Sequence, residues 1–253
     1  AAAGIAAINL DDPESRALAE RARAAVTYAI DNQAATLAVE PGSIVDTPTG
    51  IAAQVIDRRD GARHSLVLHV PGRHNLSNAL AAVAGAHAAG VPVADAVAAL
   101  GSFAGLARRF DILGTSPSGI TVIDDFGHNP EKCRATLRTL KSHPGRVIAF
   151  FQPHGYGPLR QMGHELAQTF AEELGPEDIT ILCDPVYFGG TVDRSQGSER
   201  IVGLIGEAGG TAKYIPDREA CGTMIAALAK PGDRIVVMGA RDDTLTAFAQ
   251  GIL

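Results

Sequence analysis

The segment TVIDDFGHNP, residues 121–130, places two carboxylates and an imidazole directly behind a short apolar run. Asp124 and Asp125 end the run, and His128 follows a turn that contains Gly127. Carboxylates accept hydrogen bonds from a ligand, and an imidazole moves protons near neutral pH, so His128 is the candidate catalytic residue. The alternative for this segment alone is a capped turn whose aspartates are merely solvated.

The elements around this segment are predicted to be a strand, a polar turn and a helix. The β-branched run predicts a strand at 121–125, Asn129 suits a helix N-cap, and Pro130 suits the first helical turn. Apolar residues recur at helical spacing across 130–141. The polar side chains therefore stand at the carboxyl end of a strand, where ligands bind in open α/β sheets.

From residue 107 onward, predicted strands and helices alternate, which favours a Rossmann-like, mostly parallel sheet covered on both faces. Polar loops at 152–160, 184–190 and 239–243 follow further strands, and together they suit an anionic ligand such as a nucleotide or a carboxylate. The last of these loops is equally consistent with a simple turn before a capped helix. The predicted strands are 121–125, 146–151, 178–184, 211–215 and 233–238, and the predicted helices are 130–141, 159–174, 198–208, 218–230 and 244–253.

The first 106 residues predict a mixed α/β arrangement, with the domain boundary between residues 106 and 107. A turn at Asp60-Gly61 between two alternating runs predicts a hairpin. Strands are also predicted at 4–10 and 26–30, and helices at 11–25 and 93–103.

Two asparagines, Asn75 and Asn78, stand three apart where an alanine-rich helix begins. Side chains at this spacing share a helical face, and each amide offers both a donor and an acceptor. Such a pair can bind the edge of a purine base. In the alternative, Asn75 is an N-cap and Asn78 is simply exposed.

Composition excludes several classes of function. The formal net charge is −6 and no basic stripe stands out, which argues against nucleic-acid binding. Three widely spaced cysteines without a CxxC motif predict neither disulfides nor a zinc site, and favour a reducing, cytoplasmic compartment. No signal peptide or membrane-length apolar run is found, so no membrane partner is expected. The G-x-G-x-x-G and P-loop motifs are missing, and the chain starts inside a predicted strand, so we expect a fragment of a longer protein.

An ordered set of motifs resembles the Mur ligases. The set is GRHNLSNALAA (72–82), ARRF (107–110), IDDFGHNP (123–130), FFQPHGY (150–156) and VVMGARD (236–242). It most resembles the UDP-N-acetylmuramate–L-alanine ligase branch, including its murein-peptide ligase relatives. The resemblance spans nearly the whole chain in the family's order, which makes it far more specific than any one motif.

The resemblance implies a domain organisation. Mur ligases have a UDP-binding domain, a central ATPase domain and a carboxyl-terminal Rossmann-like domain. Residues 1–106 are similar to the end of the central domain, without its P-loop, and residues 107–253 to the whole third domain. The implied activity is ATP-dependent: a carboxylate is activated as an acyl phosphate, and an amine attacks it to give an amide.

The resemblance also implies roles for individual residues. Asn75 and Asn78 match the asparagines at the adenine, while Arg109 and Asp125 match residues that contact ATP from the third domain. The implied small-molecule partners are ATP, an amino acid or peptide, and a UDP-sugar-like acceptor. Magnesium and a modified lysine assist in the family, but the residues that bind them belong to the part of the central domain that this sequence lacks, so no metal site is expected here.

Two departures from the family pattern concern the substrate. Gly155 and Pro158 stand where the alanine-adding branch has arginines that receive the amino acid's carboxylate, whereas His154 and Arg160 remain as candidate substrate-binding residues. His128-Asn129 replaces the usual paired histidines and resembles folylpolyglutamate and cyanophycin synthetases. We therefore expect the reaction class to be kept, without assigning the amino acid. The alternatives are a ligase of that second kind and a non-catalytic module that binds a nucleotide or metabolite.

Overall fold

The computed structural model describes residues 4–186, 191 and 193–253, and the chain forms two compact units that divide between Gly105 and Leu106. The part of the predicted polar loop at 187–190 lies outside the described residues. Within the residues described, no helix is both long and apolar enough to cross a membrane.

The first unit is a six-stranded mixed sheet with three helices. The strands lie in the order β1-β2-β3-β5-β4, with β6 also paired to β5; β1, β2 and β3 are parallel, and the pairs that involve β5 are antiparallel. The elements are β1 (Ala6–Asn9), α1 (Pro13–Ala19), β2 (Ala25–Ala29), β3 (Leu37–Val39), β4 (Val45–Thr47), β5 (Gly50–Asp57), β6 (Ala62–Leu68), α2 (Arg73–Ala88) and α3 (Val93–Leu100).

The predicted hairpin is confirmed, since β5 and β6 pair antiparallel around a turn where Gly61 adopts a φ of 77°. Helix α1 is shorter than predicted. Asp12 caps its start, but none of its residues is buried, so packing does not hold a longer helix together. Strand β4 was not predicted because it has only three residues and no buried side chain.

The second unit is a six-stranded sheet in the order β11-β10-β9-β12-β8-β7. All neighbouring strands are parallel except β7 and β8, so the predicted fold class is confirmed. The elements are β7 (Asp111–Thr115), β8 (Thr121–Asp125), α4 (Pro130–Lys141), β9 (Val147–Gln152), α5 (Tyr156–Glu173), β10 (Ile179–Leu182), α6 (Ser198–Glu207), β11 (Ala212–Tyr214), α7 (Arg218–Leu228), β12 (Arg234–Gly239) and α8 (Leu245–Gln250).

Two apolar layers sandwich this second sheet. Alternate strand residues face α4, α5 and α6 on one side and α7 and α8 on the other, as Ile123 and Val122 of β8 show. The residues that follow β8, β9 and β12 lie at one edge, since these three strands are parallel neighbours in register. In that register Met238 pairs with Asp125, and Gly239 with Gln152. The fold thus brings the polar loops after these strands to a common edge.

Candidate functional site

Two histidines from different loops meet at this edge of the second sheet. The rings of His128, after β8, and His154, after β9, have centroids 5.2 Å apart and lie nearly perpendicular. Nδ1 of His128 lies 2.8 Å from the carbonyl oxygen of Phe126, which only accepts, so Nδ1 carries the proton and Nε2 is left as an acceptor. A cleft with about 180 Å³ of space is lined by His128, Phe151, Pro153, His154, Gly155, Pro158, Leu159, Met162 and Leu166.

The pKa of His154 is lowered from its ordinary 6.5 because burial disfavours the charged imidazole, with the charges of His128 and Arg241 adding to the effect. His154 is therefore neutral at pH 7. A neutral imidazole pair accepts protons and hydrogen bonds without repelling an incoming cationic amine.

We expect the 253-residue chain to lose stability as the pH falls below 6.5, because its unfolded form binds a proton that the folded cleft disfavours. A histidine with a depressed folded pKa stabilises the fold fully above its unfolded pKa and loses that contribution at lower pH. Urea unfolding at about pH 7.5 and about pH 5.5 should show a smaller pH-dependent loss in His154→Asn than in wild type. His164→Asn, an exposed change on α5, should retain the wild-type loss; an equal loss in all three proteins would contradict the assignment.

Asp125 is buried and organises the turn after β8. Its Oδ2 accepts the backbone N–H of Phe110 at 2.8 Å, and its Oδ1 accepts the N–H of Gly127 at 2.8 Å and the hydroxyl of Thr136 at 2.9 Å. Burial raises the pKa of Asp125, and these hydrogen bonds oppose the rise. Gly127 is required here, because a Cβ on it would lie 2.8 Å from Oδ1 of Asp125. The carboxylate thus ties β7, β8 and α4 together, with one lone pair of Oδ2 left over.

Asp124 points to the opposite face and forms a buried ion pair with Arg108. Nε of Arg108 lies 3.5 Å from Oδ1 of Asp124, whose side chain is fully buried, and neither atom has a hydrogen-bond partner within the described residues. The hydroxyl of Thr246 donates to Oδ2 of Asp124 at 2.5 Å, and Nη2 of Arg108 donates to the carbonyl oxygen of Gly239 at 2.9 Å. Arg108 therefore joins the segment before β7 to β8 and β12.

The segment before β7 presents a second arginine to solvent. Arg109 is exposed, and its guanidinium lies 5.6 Å from the centre of the Phe126 ring, against 5.1 Å for Arg108. Arg108 and Phe110 have φ values of 60° and 49°, a backbone state that costs side-chain-bearing residues about 1–3 kcal/mol each. Tertiary contacts maintain this state, and it leaves the Arg109 guanidinium without an ion pair among the described residues.

Asp242, in the turn after β12, is held by three side chains. Nε2 of Gln152 and Nη1 of Arg218 donate to its Oδ2 at 2.7 and 2.9 Å, and the Thr244 hydroxyl donates to its Oδ1 at 2.6 Å. Partial burial alone would raise the pKa of Asp242, but hydrogen bonds from Thr244 and Gln152 outweigh it and lower the pKa. The ionised carboxylate fixes the β12–α8 turn against β9.

The loop after β9 is shorter than predicted, because α5 begins at Tyr156. Gly155 precedes the helix with a φ of 146°, and Pro158 fits the first turn, where its missing N–H costs nothing. An arginine at position 155 would therefore be strained, so restoring that residue alone does not recreate the family's loop. Nη1 of Arg160 lies 3.4 Å from Oδ2 of Asp193, and both side chains are about half exposed.

In the first unit, the two candidate adenine residues lie near the start of α2. The helix begins at Arg73 behind Gly72, so Asn75 is not the N-cap that the alternative interpretation required. Nδ2 of Asn75 donates to the carbonyl oxygen of Pro71 at 2.7 Å, which leaves its Oδ1 as an acceptor. Asn78 is exposed, and no hydrogen bond of its amide is found in the part of the chain that the structure describes.

Four residues of the site were not predicted from the sequence: Arg108, Gln152, Arg218 and Arg241. The first three act through contacts between residues far apart in the chain, which no local pattern reveals. Arg108 and Arg241 also adopt positive φ values, a state that sequence indicates only when the residue is glycine or asparagine. Among the residues that the structure covers, no cluster of three or more His, Cys, Asp or Glu side chains could hold a metal ion.

Comparison with known proteins matches both units to one family. A model of the Mur ligase middle domain matches residues 1–86, and a model described as the Mur ligase, glutamate ligase domain matches residues 108–241. The chain is 38% identical over 255 residues to the UDP-N-acetylmuramate–L-alanine ligase of Agrobacterium fabrum, covering 97% of this chain and 52% of that protein. The chain thus spans about half the length of the curated relative.

Solved structures share the fold. The UDP-N-acetylmuramate–alanine ligase MurC of Thermotoga maritima superposes with a TM-score of 0.68 at 25% identity, covering 90% of this chain and 46% of that one. The MurF ligase of Thermotoga maritima, solved in complex with ADP, gives a TM-score of 0.69 at 17% identity, covering 100% of this chain and 55% of that one. At that level of identity, the second match bears on the fold alone.

Proposed function

The chain belongs to the Mur ligase family, and on that premise we propose that it is part of an ATP-dependent ligase that joins an amine to a carboxylate. The proposed acceptor is a UDP-N-acetylmuramate-like carboxylate, and the proposed amine is an amino acid or a peptide. The observation that carries the proposal is the 38% identity to a UDP-N-acetylmuramate–L-alanine ligase over 97% of the chain. The proposed compartment is the cytoplasm, consistent with three free, buried cysteines.

The arrangement of each unit supports this chemistry. In the second unit, the exposed guanidinium of Arg109 has no ion pair among the described residues and suits a phosphate oxygen of ATP. In the first unit, Asn75 and Asn78 offer free amide atoms on one helical face, which suits the edge of adenine. Magnesium would neutralise phosphate charge, and the proposal assigns its ligands to a part of the enzyme beyond this chain.

In the proposed reaction, an oxygen of the acceptor carboxylate takes the γ-phosphoryl group of ATP, and ADP leaves. The amine nitrogen then attacks the carbonyl carbon of the acyl phosphate, phosphate leaves, and the nitrogen loses a proton. His128 is proposed to accept that proton, because its Nδ1–H is directed at the Phe126 carbonyl oxygen and its Nε2 is an acceptor. The neutral His154 beside it keeps the cleft receptive to the amine.

The test is ADP release by the full-length protein with ATP, magnesium, UDP-N-acetylmuramate and a panel of amino acids and short peptides. The proposal expects ADP release that requires both acceptor and amine, and an amide product of matching mass. A protein that binds ATP but forms no product with any acceptor would instead be the non-catalytic binding module. Product with a folate or peptide acceptor alone would place it with folylpolyglutamate or cyanophycin synthetases.

The isolated 253-residue chain is expected to form no amide product, because its sequence has no P-loop to hold the transferring phosphate. The measurement is the same ADP and product assay, run side by side with the full-length protein at equal concentration. Circular dichroism establishes that the isolated chain is folded. Product above the background without enzyme would overturn the assignment of phosphate binding to a region outside this chain.

A further inference from the structure

Arg241 is an exposed arginine in the turn after β12, and its backbone has a φ of 61°. Non-glycine residues rarely adopt this state, and where they do the surrounding structure maintains it, often at a functional site. Within the described chain, no hydrogen bond or ion pair engages its guanidinium. The adjacent Asp242 is occupied by Gln152, Arg218 and Thr244, so it does not neutralise Arg241 through a direct contact.

The strand register places Arg241 beside the histidine cleft. Gly239 of β12 pairs with Gln152 of β9, and Arg241 and His154 each lie two residues beyond that pair. Paired strands are about 4.8 Å apart, so the two residues leave the sheet edge at the same level. The lowered pKa of His154, to which the charge of Arg241 contributes, is consistent with that proximity.

The other candidate cations around this cleft are unsuited to binding an anion there. Gly155 and Pro158 have no charge, and Arg160 pairs with Asp193. Arg108 is committed to Asp124 and to the Gly239 carbonyl oxygen. Arg241 is thus left as an uncommitted guanidinium next to two imidazoles, His154 and, 5.2 Å from it, His128. A guanidinium forms paired hydrogen bonds with a carboxylate, and an imidazole N–H adds a third donor.

We propose that Arg241 binds the carboxylate of the incoming amino acid or peptide, with His154 beside it, and so replaces the arginines that the β9–α5 loop lacks. The inference rests on the proposed ligase function. Holding the carboxylate at Arg241 leaves the amine of the same molecule free to approach His128. Arg241 is therefore a specificity-determining residue for substrates that carry a free carboxylate next to the amine.

The kinetic test uses the full-length protein. Arg241→Gly removes the guanidinium and suits the backbone, since glycine adopts a φ of 61° without strain. It should raise the KM for the amino acid about tenfold or more, with kcat and the KM for ATP within about twofold of wild type. Arg241→Lys should give an intermediate KM, because an ammonium lacks the paired donors. The matched control is Arg138→Ala, which removes an exposed arginine from the last turn of α4. An unchanged amino-acid KM in a folded Arg241→Gly protein would overturn the proposal.

A binding test separates this inference from the proposed function. The side-chain NMR signals of His128 and His154 are followed while propionate, ethylamine or inorganic phosphate is added to the full-length protein. We expect shifts with propionate in wild type, at least about tenfold weaker binding in Arg241→Gly, and no comparable effect of ethylamine. Shifts with phosphate but not propionate, or no shift with propionate in wild type, would overturn the carboxylate site. If no amino acid stimulates ADP release, the proposed function fails, while this titration still decides the role of Arg241.

Discussion

Replacing Arg108 by Met should lower the free energy of unfolding of the 253-residue chain by about 3–5 kcal/mol, the range found when one partner of a buried ion pair is removed. Methionine fills the space of the arginine stem but leaves the fully buried Asp124 carboxylate without its cation. The Gly239 carbonyl oxygen also loses a donor. Urea unfolding at neutral pH measures the loss, and the free energy should recover partly at lower pH, where protonation of Asp124 removes the uncompensated charge.

Two further proteins make the Arg108 result interpretable. The double variant Arg108→Met/Asp124→Asn buries no charge, and the amide oxygen of the introduced asparagine can still accept the Thr246 hydroxyl, so this variant should recover most of the lost stability. The neighbouring exposed change Arg109→Met should cost about 1 kcal/mol or less, the value of an exposed cation–π contact. If the double variant is as unstable as Arg108→Met, the loss comes from packing and not from the buried charge.

The strands and helices of the second unit were predictable because their apolar residues repeat clearly, and α4 has the predicted bounds of 130–141. Strand β7 was not, since a bulge between Ile112 and Gly114 interrupts its alternation. The start of α5 was placed three residues late because Gly155 and Pro158 are typical of a loop. In the structure the glycine precedes the helix, and the proline lies where a helix has no use for its N–H.

The candidate site was predictable only as far as one segment reaches. The sequence places Asp124 and Asp125 at a strand end, and the two-residue period of a strand sends them to opposite faces. It does not show that Asp124 meets Arg108 or that Asp125 is occupied by three donors of its own chain. These contacts, like the positive φ of Arg241, depend on how distant elements pack.

Asp125→Ala in the full-length protein should both destabilise the fold and impair ATP use. Three donors, the N–H groups of Phe110 and Gly127 and the hydroxyl of Thr136, would lose their acceptor. A buried donor left unpaired costs about 1–3 kcal/mol, so a loss of about 3 kcal/mol or more is expected. Because Arg109 directly precedes Phe110, the freed segment should move the guanidinium proposed to contact ATP. The KM for ATP should rise about tenfold or more, while that for the acceptor changes by about twofold or less.

The control for Asp125→Ala is Thr136→Val, which removes one donor while Asp125 keeps the other two. It should cost about 1 kcal/mol and leave the KM for ATP near the wild-type value, because the bonds to Phe110 and Gly127 remain. Urea unfolding and the ADP-release assay on the same preparations give both quantities. Equal increases in the KM values for ATP and acceptor would indicate a general loss of structure. A folded Asp125→Ala protein with unchanged ATP dependence would show that neither the carboxylate nor the segment it holds contributes to nucleotide binding.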